Sequence, residues 1–273
     1  MTKRLPIGVF DSGVGGLTVL RALQRALPGE SFLYLGDTAR LPYGTKSPGT
    51  IARYALQAAR VLVDRGIDSL VIACNTASAV ALDDLRAALP QLDVTGVVEP
   101  GAAAAVATST GGSIGVIATE STIRGGAYAQ AIARLRPDAR VVGLPCPLFV
   151  ALAEEGWTEG PIPDSVAHAY LDPIKHDIDT LVLGCTHFPL LAASIAATVG
   201  PRVAIVDSAA TTAQRVRAAL ERRGHTQPQS GAAASTDCST VLLATDGRER
   251  FARVGSRFLG IALEPDAIEL VDL

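Results

Sequence analysis

Apolar positions along the chain fall into two alternating patterns. Short continuous runs rich in Val, Ile and Leu give way to longer segments in which apolar residues return at helical spacing, and the sequence repeats this almost from end to end. Leu5 to Phe10, Phe32 to Leu35, the run ending at Cys74, Val94 to Val98, Ser113 to Ala118, Val141 to Leu144, the run ending at Cys185, Val203 to Val206 and Thr240 to Thr245 read as strands. Leu17, Leu20, Leu23 and Leu27 mark the first helix, stopped by Pro28-Gly29. Further helices are predicted over Pro48 to Asp64, Ala77 to Leu89, Thr119 to Arg134, Ser165 to Ile174, Ala209 to Arg223 and Arg248 to Leu259. Continuously apolar strands are those buried on both faces, so the pattern predicts an α/β fold built from βαβ units around mainly parallel sheets.

One stretch occurs twice. Asp68-Ser69-Leu70-Val71-Ile72-Ala73-Cys74-Asn75-Thr76 aligns with Asp179-Thr180-Leu181-Val182-Leu183-Gly184-Cys185-Thr186-His187, which sets the two cysteines 111 residues apart. Ile7 and Ile114, and then Val98 and Val206, repeat in the same order at offsets of 107 and 108. This order points to an internal duplication, hence two pseudo-symmetric α/β domains with a cleft between them. The predicted division is residues 1–98 plus 208–273, carrying Asp11 and Cys74, and residues 99–207, carrying Cys185 and His187. The tail after Val206, including a polar segment from His225 to Ser239, is expected to return to the first half.

Composition narrows the partner. Of 273 residues, 48% are hydrophobic but only 4% aromatic, so the interior must be built from Ala, Val, Leu and Ile. A net charge of −3 and a pI near 5.8 give no general attraction to nucleic acid or to an anionic membrane, which leaves a small molecule as the expected partner. Met1-Thr2-Lys3-Arg4 passes into the first strand without an apolar leader, and the uncharged stretch Pro100 to Thr119 is broken by Gly101, Gly111, Gly112 and Gly115. Neither reads as a secretion signal or a membrane span, so a cytoplasmic location is expected. Cys74, Cys146, Cys185 and Cys238 are widely spaced with no CxxC, as reduced thiols would be, and Cys185-x-His187 is not a usual zinc-ligand spacing.

Cys74 and Cys185 both end predicted parallel strands, the edge at which open α/β sheets bind ligands, and both precede residues suited to opening a helix: Asn75 and Thr76, or Thr186 with Pro189. A helix N-terminus favours thiolate over thiol and also attracts carboxylates. Two such thiols facing one cleft suit the removal of a proton from one face of a carbon and its delivery to the other. Asp11, beside Cys74, and His187, two residues after Cys185, are placed to relay protons or to orient the neighbouring thiol. A lone strand-end cysteine is more often a small core residue, and Cys146 and Cys238 are read that way. The loop Asp11-Ser12-Gly13-Val14-Gly15-Gly16 departs from a dinucleotide fingerprint, with Thr18 in the third glycine place. The three lysines, Lys3, Lys46 and Lys175, sit in no pyridoxal-phosphate motif, so no cofactor is expected.

Phe10-Asp11-Ser12-Gly13-Val14-Gly15-Gly16-Leu17-Thr18, Leu35-Gly36-Asp37 with Pro42-Tyr43-Gly44, Ala73-Cys74-Asn75-Thr76-Ala77, Val98-Glu99-Pro100-Gly101 and Gly184-Cys185-Thr186-His187-Phe188-Pro189-Leu190 together resemble the cofactor-independent aspartate/glutamate racemases, the glutamate racemases of the bacterial cell-wall pathway in particular. The resemblance runs from Ile7 to about Ala209. It implies interconversion of L- and D-glutamate without cofactor, Cys74 acting as base toward D-glutamate and Cys185 toward L-glutamate, with Asp11, His187 and Glu154 assisting. It implies substrate contacts from Asp11, Ser12, Tyr43, Gly44, Asn75, Thr76, Thr186 and His187, and a homodimer is a candidate assembly. Three other readings stand beside it: a related decarboxylase retains only one of the two cysteines, and both are present here. Aspartate racemases tend to carry an acidic residue where His187 stands, and a two-lobed binding protein for an acidic amino acid would explain the cleft but not the paired thiols.

Overall fold

A computed structural model describes residues 4–225 and 238–273. In chain order the elements are β1 (Ile7–Asp11), α1 (Leu17–Ala26), β2 (Phe32–Gly36), α2 (Pro48–Asp64), β3 (Ser69–Ile72), α3 (Asn75–Ala88), β4 (Asp93–Gly96), α4 (Val98–Thr108), β5 (Ser113–Ala118), α5 (Glu120–Gly125) and α6 (Ala127–Leu135). They continue with β6 (Arg140–Pro145), α7 (Pro147–Glu155), α8 (Pro161–Leu171), β7 (Thr180–Gly184), α9 (Ala192–Val199), β8 (Ala204–Asp207), α10 (Ser208–Arg222), β9 (Thr240–Ala244), α11 (Arg248–Leu259) and β10 (Ile268–Leu270). Much of the polar segment predicted from His225 to Ser239 falls on residues 226–237, outside the described residues. No helix among the described residues is long and apolar enough to cross a membrane.

The strands form two parallel sheets, ordered β10-β9-β2-β1-β3-β4 and β6-β5-β7-β8. Every residue of β1, β2, β3 and β7 is buried, which is why these strands read as unbroken apolar runs. The order β2-β1-β3-β4 repeats as β6-β5-β7-β8, so the fold carries the internal symmetry in its topology. Register makes the equivalence closer. Ile7 pairs with Ser69 as Ile114 pairs with Thr180, and Ser69 pairs with Asp93 as Thr180 pairs with Ala204. The last two strands of each set are therefore offset by 111 residues, like the cysteines. This corrects the Val98–Val206 match: Val206 corresponds in register to Thr95.

Val98 is not in a strand. β4 stops at Gly96, where the Ser78 hydroxyl accepts the Val97 N–H at 3.0 Å and turns the chain into α4. The single helix expected from Thr119 to Arg134 is two, α5 and α6, because Gly126 takes a left-handed conformation with φ of 67° and ends one helix as it opens the next. α8 begins at Pro161, upstream of the expected Ser165, since proline at the first helical position carries a preset φ and has no N–H to leave unpaired. β10, α9 and the helical form of the segment after Cys146 have no counterpart in the predicted elements.

A continuous apolar cluster joins the two sheets. It runs from Ile7, Leu17 and Leu20 through Ala209, Val216 and Phe258 to Leu183 and Phe188. Within it Phe149 of α7 packs edge-on against Tyr170 and Phe188, with ring centroids 5.2 and 5.4 Å away, and so fixes α7 to the loop after β7. Phe149 is fully buried. Replacing it with alanine is expected to lower the unfolding free energy by about 3–5 kcal/mol, read as a lower urea midpoint at unchanged slope. A loss below about 1 kcal/mol would show that this contact does not hold α7.

Candidate functional site

The carboxyl ends of β1, β3, β5 and β7 surround a cavity of about 200 Å³. Ser12, Tyr43, Gly44, Cys74, Asn75, Thr76, Glu154, Cys185, Thr186 and His187 line it, together with Thr119, Glu120, Pro147 and Val150, which sequence reasoning did not single out. Asp11 is buried behind this lining and does not form part of the wall. A larger depression of about 610 Å³, bordered by Arg21, Arg25, Asp207 and Arg217, is lined by neither cysteine nor histidine.

Cys74 caps α3. Its sulfur accepts the Ala77 N–H at 3.4 Å, while its thiol donates to the Ser12 hydroxyl at 3.4 Å. Burial, reinforced by the negative charge of Asp11, outweighs these bonds and pushes the thiol up to about 12, so Cys74 rests protonated. One oxygen of Asp11 accepts the Gly13 N–H at 2.9 Å, and the other has no hydrogen-bond partner. Burial raises this carboxyl above its ordinary value, against the pull of the Gly16 N–H and of His187.

Cys185 is placed differently. The chain after it forms a short 3-10 turn, Phe188–Leu191, and α9 starts only at Ala192, so Cys185 does not cap a regular helix as its flanking residues suggest. What faces its sulfur is the Nδ1 of His187, at 3.8 Å, a nitrogen also 3.3 Å from the Thr186 hydroxyl. The other ring nitrogen of His187 lies 3.1 Å from Glu154 Oε1, and Arg250 donates to Glu154 Oε2 at 2.7 Å. Arg257 donates to the Glu154 carbonyl at 2.7 Å, and the Phe258 ring meets the imidazole edge-on at 5.0 Å. Helix α11 thus supports the Cys185 side of the cavity through Glu154. A glutamate preceding Glu155-Gly156 at a helix end reads in sequence as solvated, but its side chain is only 18% exposed.

Burial alone would lower the basicity of His187, but hydrogen bonds and charge from Cys185 and Glu154 prevail and raise it to about 10. Burial also opposes the Glu154 charge, and His187 with Arg250 overcomes it, holding the carboxyl at about 2. An imidazolium and a carboxylate therefore stand behind Cys185, where a carboxyl and a serine stand beside Cys74.

On the wall away from the sulfurs, the Tyr43 hydroxyl donates to Asp37 at 2.5 Å, and Asp37 also receives Arg40 and Thr245. Thr76, Thr119 and Thr122 join their hydroxyls at 2.9–3.1 Å, bridging the loops after Cys74 and after β5. Thr119 and Arg250 carried no recognisable signal, because Thr119 meets Thr76 and Arg250 meets Glu154, partners distant in sequence. Cys146 immediately precedes α7 and turns its thiol to the Leu144 carbonyl at 3.7 Å; neither it nor Cys238 lines the cavity.

The family model for Asp/Glu/hydantoin racemases matches residues 7–216. The chain belongs to that racemase family. Among its relatives, a glutamate racemase of Geobacter metallireducens is 51% identical over 93% of this chain and 92% of its own. Among solved structures, the glutamate racemase of Francisella tularensis in complex with D-glutamate superposes with a TM-score of 0.89 at 36% identity, covering 98% of both chains. That of Thermus thermophilus in complex with β-chloro-D-alanine gives 0.87 at 44% identity, over 99% of this chain and 98% of that one. As in other members of this racemase family, the architecture is α/β with two mainly parallel sheets.

The His187–Glu154 pair has a defined pH signature. A histidine raised from 6.5 to about 10 contributes stability that is complete below pH 6.5 and is lost as pH rises through about 10. A glutamate lowered from 4.5 to about 2 contributes stability present above pH 4.5 and lost as pH falls through about 2. The stability difference between the unmodified protein and Glu154→Gln, measured by urea unfolding across pH, is expected to peak between 4.5 and 6.5 and shrink on either side. A pH-independent difference would mean that the two groups are not paired.

Proposed function

We propose that the protein is a cofactor-independent glutamate racemase working by two bases, and that it supplies D-glutamate for peptidoglycan synthesis. The observation that carries this reading is the convergence of two thiols, from topologically equivalent strand ends, on one small cavity. Each thiol has its own proton-handling partner. Cys185, with His187 and Glu154, takes the α-proton of L-glutamate while protonated Cys74, with Asp11, delivers one to the opposite face; the roles reverse for D-glutamate. The proton leaves Cα with its electron pair remaining on carbon, hydrogen bonds from the wall to the adjacent substrate carboxylate stabilise that charge, and the pair takes up the second proton, so no net electron transfer occurs.

Substrate placement follows from the wall. Asn75, Thr76 and Thr186 suit a carboxylate near the reacting carbon, and Asp11, buried just behind the wall with one unpartnered oxygen, suits the substrate ammonium. Ser12, Tyr43 and Gly44 suit the distal carboxylate, and His187 contacts substrate from the Cys185 side. We read residues 1–98 with 208–273 as one domain and 99–207 as the other, with the cavity between them. The same reading assigns a cytoplasmic location, to which the cell-wall role belongs, and a homodimer as the assembly.

With no cofactor added, the purified protein is expected to bring either pure L- or pure D-glutamate to zero circular dichroism signal, and to act on aspartate at least 100-fold more slowly, as a pocket that hydrogen-bonds its ligand discriminates. Faster action on aspartate would move the protein to the other substrate. Cys74→Ser and Cys185→Ser are each expected to lower racemisation by about 10²–10⁴-fold, the range of general acid–base catalysis. Full activity in either variant would refute the two-base assignment.

A further inference from the structure

Tyr128 lies on α6, beside the second sheet, yet its phenol donates to Oδ1 of Asn75 at 2.7 Å. Asn75 directly follows Cys74. The same ring packs over Gly184, the residue before Cys185: a Cβ there would sit 3.1 Å from the ring, and one on Gly101 would sit 3.2 Å from the ring and its hydroxyl. One buried side chain thus sits between the residue after Cys74 and the residue before Cys185.

The hydrogen bond fixes which way the Asn75 amide faces. With Oδ1 occupied by the phenol, Nδ2 is the remaining polar group, and it is buried with no acceptor although Asn75 lines the cavity. A buried N–H₂ left unmatched is unfavourable unless a ligand supplies the acceptor. A substrate carboxylate is such an acceptor. Reversal of the amide would turn its oxygen toward that carboxylate and repel it.

We propose that Tyr128 is a positioning residue for substrate recognition: it locks Asn75 with its N–H₂ presented to a carboxylate of glutamate. This rests on the glutamate reading given above. Burial holds the phenol well above its ordinary range, so it remains a protonated donor around neutral pH. Tyr128 itself does not line the cavity and handles no proton of the reaction.

The test is a double-mutant cycle on steady-state kinetics in both directions. Tyr128→Phe is expected to raise KM for L- and D-glutamate about tenfold while kcat stays within about threefold, as the loss of one oriented hydrogen bond would give. Asn75→Ala is expected to raise KM at least as much, and Tyr128→Phe added to Asn75→Ala to change it less than about twofold. An unchanged KM in Tyr128→Phe, or effects that simply multiply in the double variant, would overturn the proposal. Asn75→Asp covers the case in which Tyr128→Phe does not fold. It keeps an acceptor for the phenol but replaces the donor, so it should retain the far-UV spectrum of the unmodified protein while KM rises more than about 100-fold; an unmodified KM there would equally overturn it. An unmodified protein that folds but leaves glutamate untouched would defeat the glutamate reading instead.

Discussion

Parallel strands deliver all their carboxyl ends to one edge, and that constraint organises this molecule. β1 with β3, and β5 with β7, end at the same cavity, so residues that follow those strands meet there whatever their distance in sequence. Identical strand order in the two sheets sets Cys74 and Cys185 at equivalent places. The apolar cluster joining β1, α1 and α11 to the loop after β7 gives that placement rigidity. The symmetry of the backbone thus places two thiols at equivalent positions on one cavity.

The surroundings of the thiols are not symmetric. Cys74 is a protonated helix cap with a serine acceptor and a buried carboxyl nearby. Cys185 faces an imidazolium neutralised by Glu154, which α11 holds through Arg250 and Arg257. The two thiols, equivalent in the backbone, therefore sit in electrostatically different surroundings, a buried carboxyl beside Cys74 and an imidazolium–carboxylate pair behind Cys185. The structure also explains why the chain needs its tail: β9 and β10 extend the first sheet, and α11 closes over the His187 side.

Much of this was legible in the sequence, for physical reasons. Strands buried on both faces leave unbroken apolar runs, which is why β1, β3, β5 and β7 could be read, and the repeated stretch identified the cysteine pair. Boundaries governed by a single hydrogen bond or dihedral were not legible. The Ser78 hydroxyl ends β4, and Gly126 divides what reads as one helix. Spacing also suggested a helix start at Cys185, where the chain instead forms a 3-10 turn and relies on His187 for charge. Arg250 and Tyr128 were invisible because their roles arise only when distant segments pack: Arg250 lies 96 residues from Glu154, and Tyr128 lies 53 from Asn75. Glu154 reads as a solvated helix end for the same reason, since nothing local predicts the arginines that bury it.

The claim that two different groups serve the two faces is tested most directly by the early fate of deuterium. L-Glutamate incubated with the protein in deuterated water, and sampled after only a few per cent conversion, should give D-glutamate carrying deuterium at Cα while the remaining L-glutamate stays unlabelled. One group takes the original proton and the other delivers a solvent-derived one. Deuterium appearing equally in the residual L-glutamate, or the original proton carried over into the product, would show a single shuttling base and contradict the account.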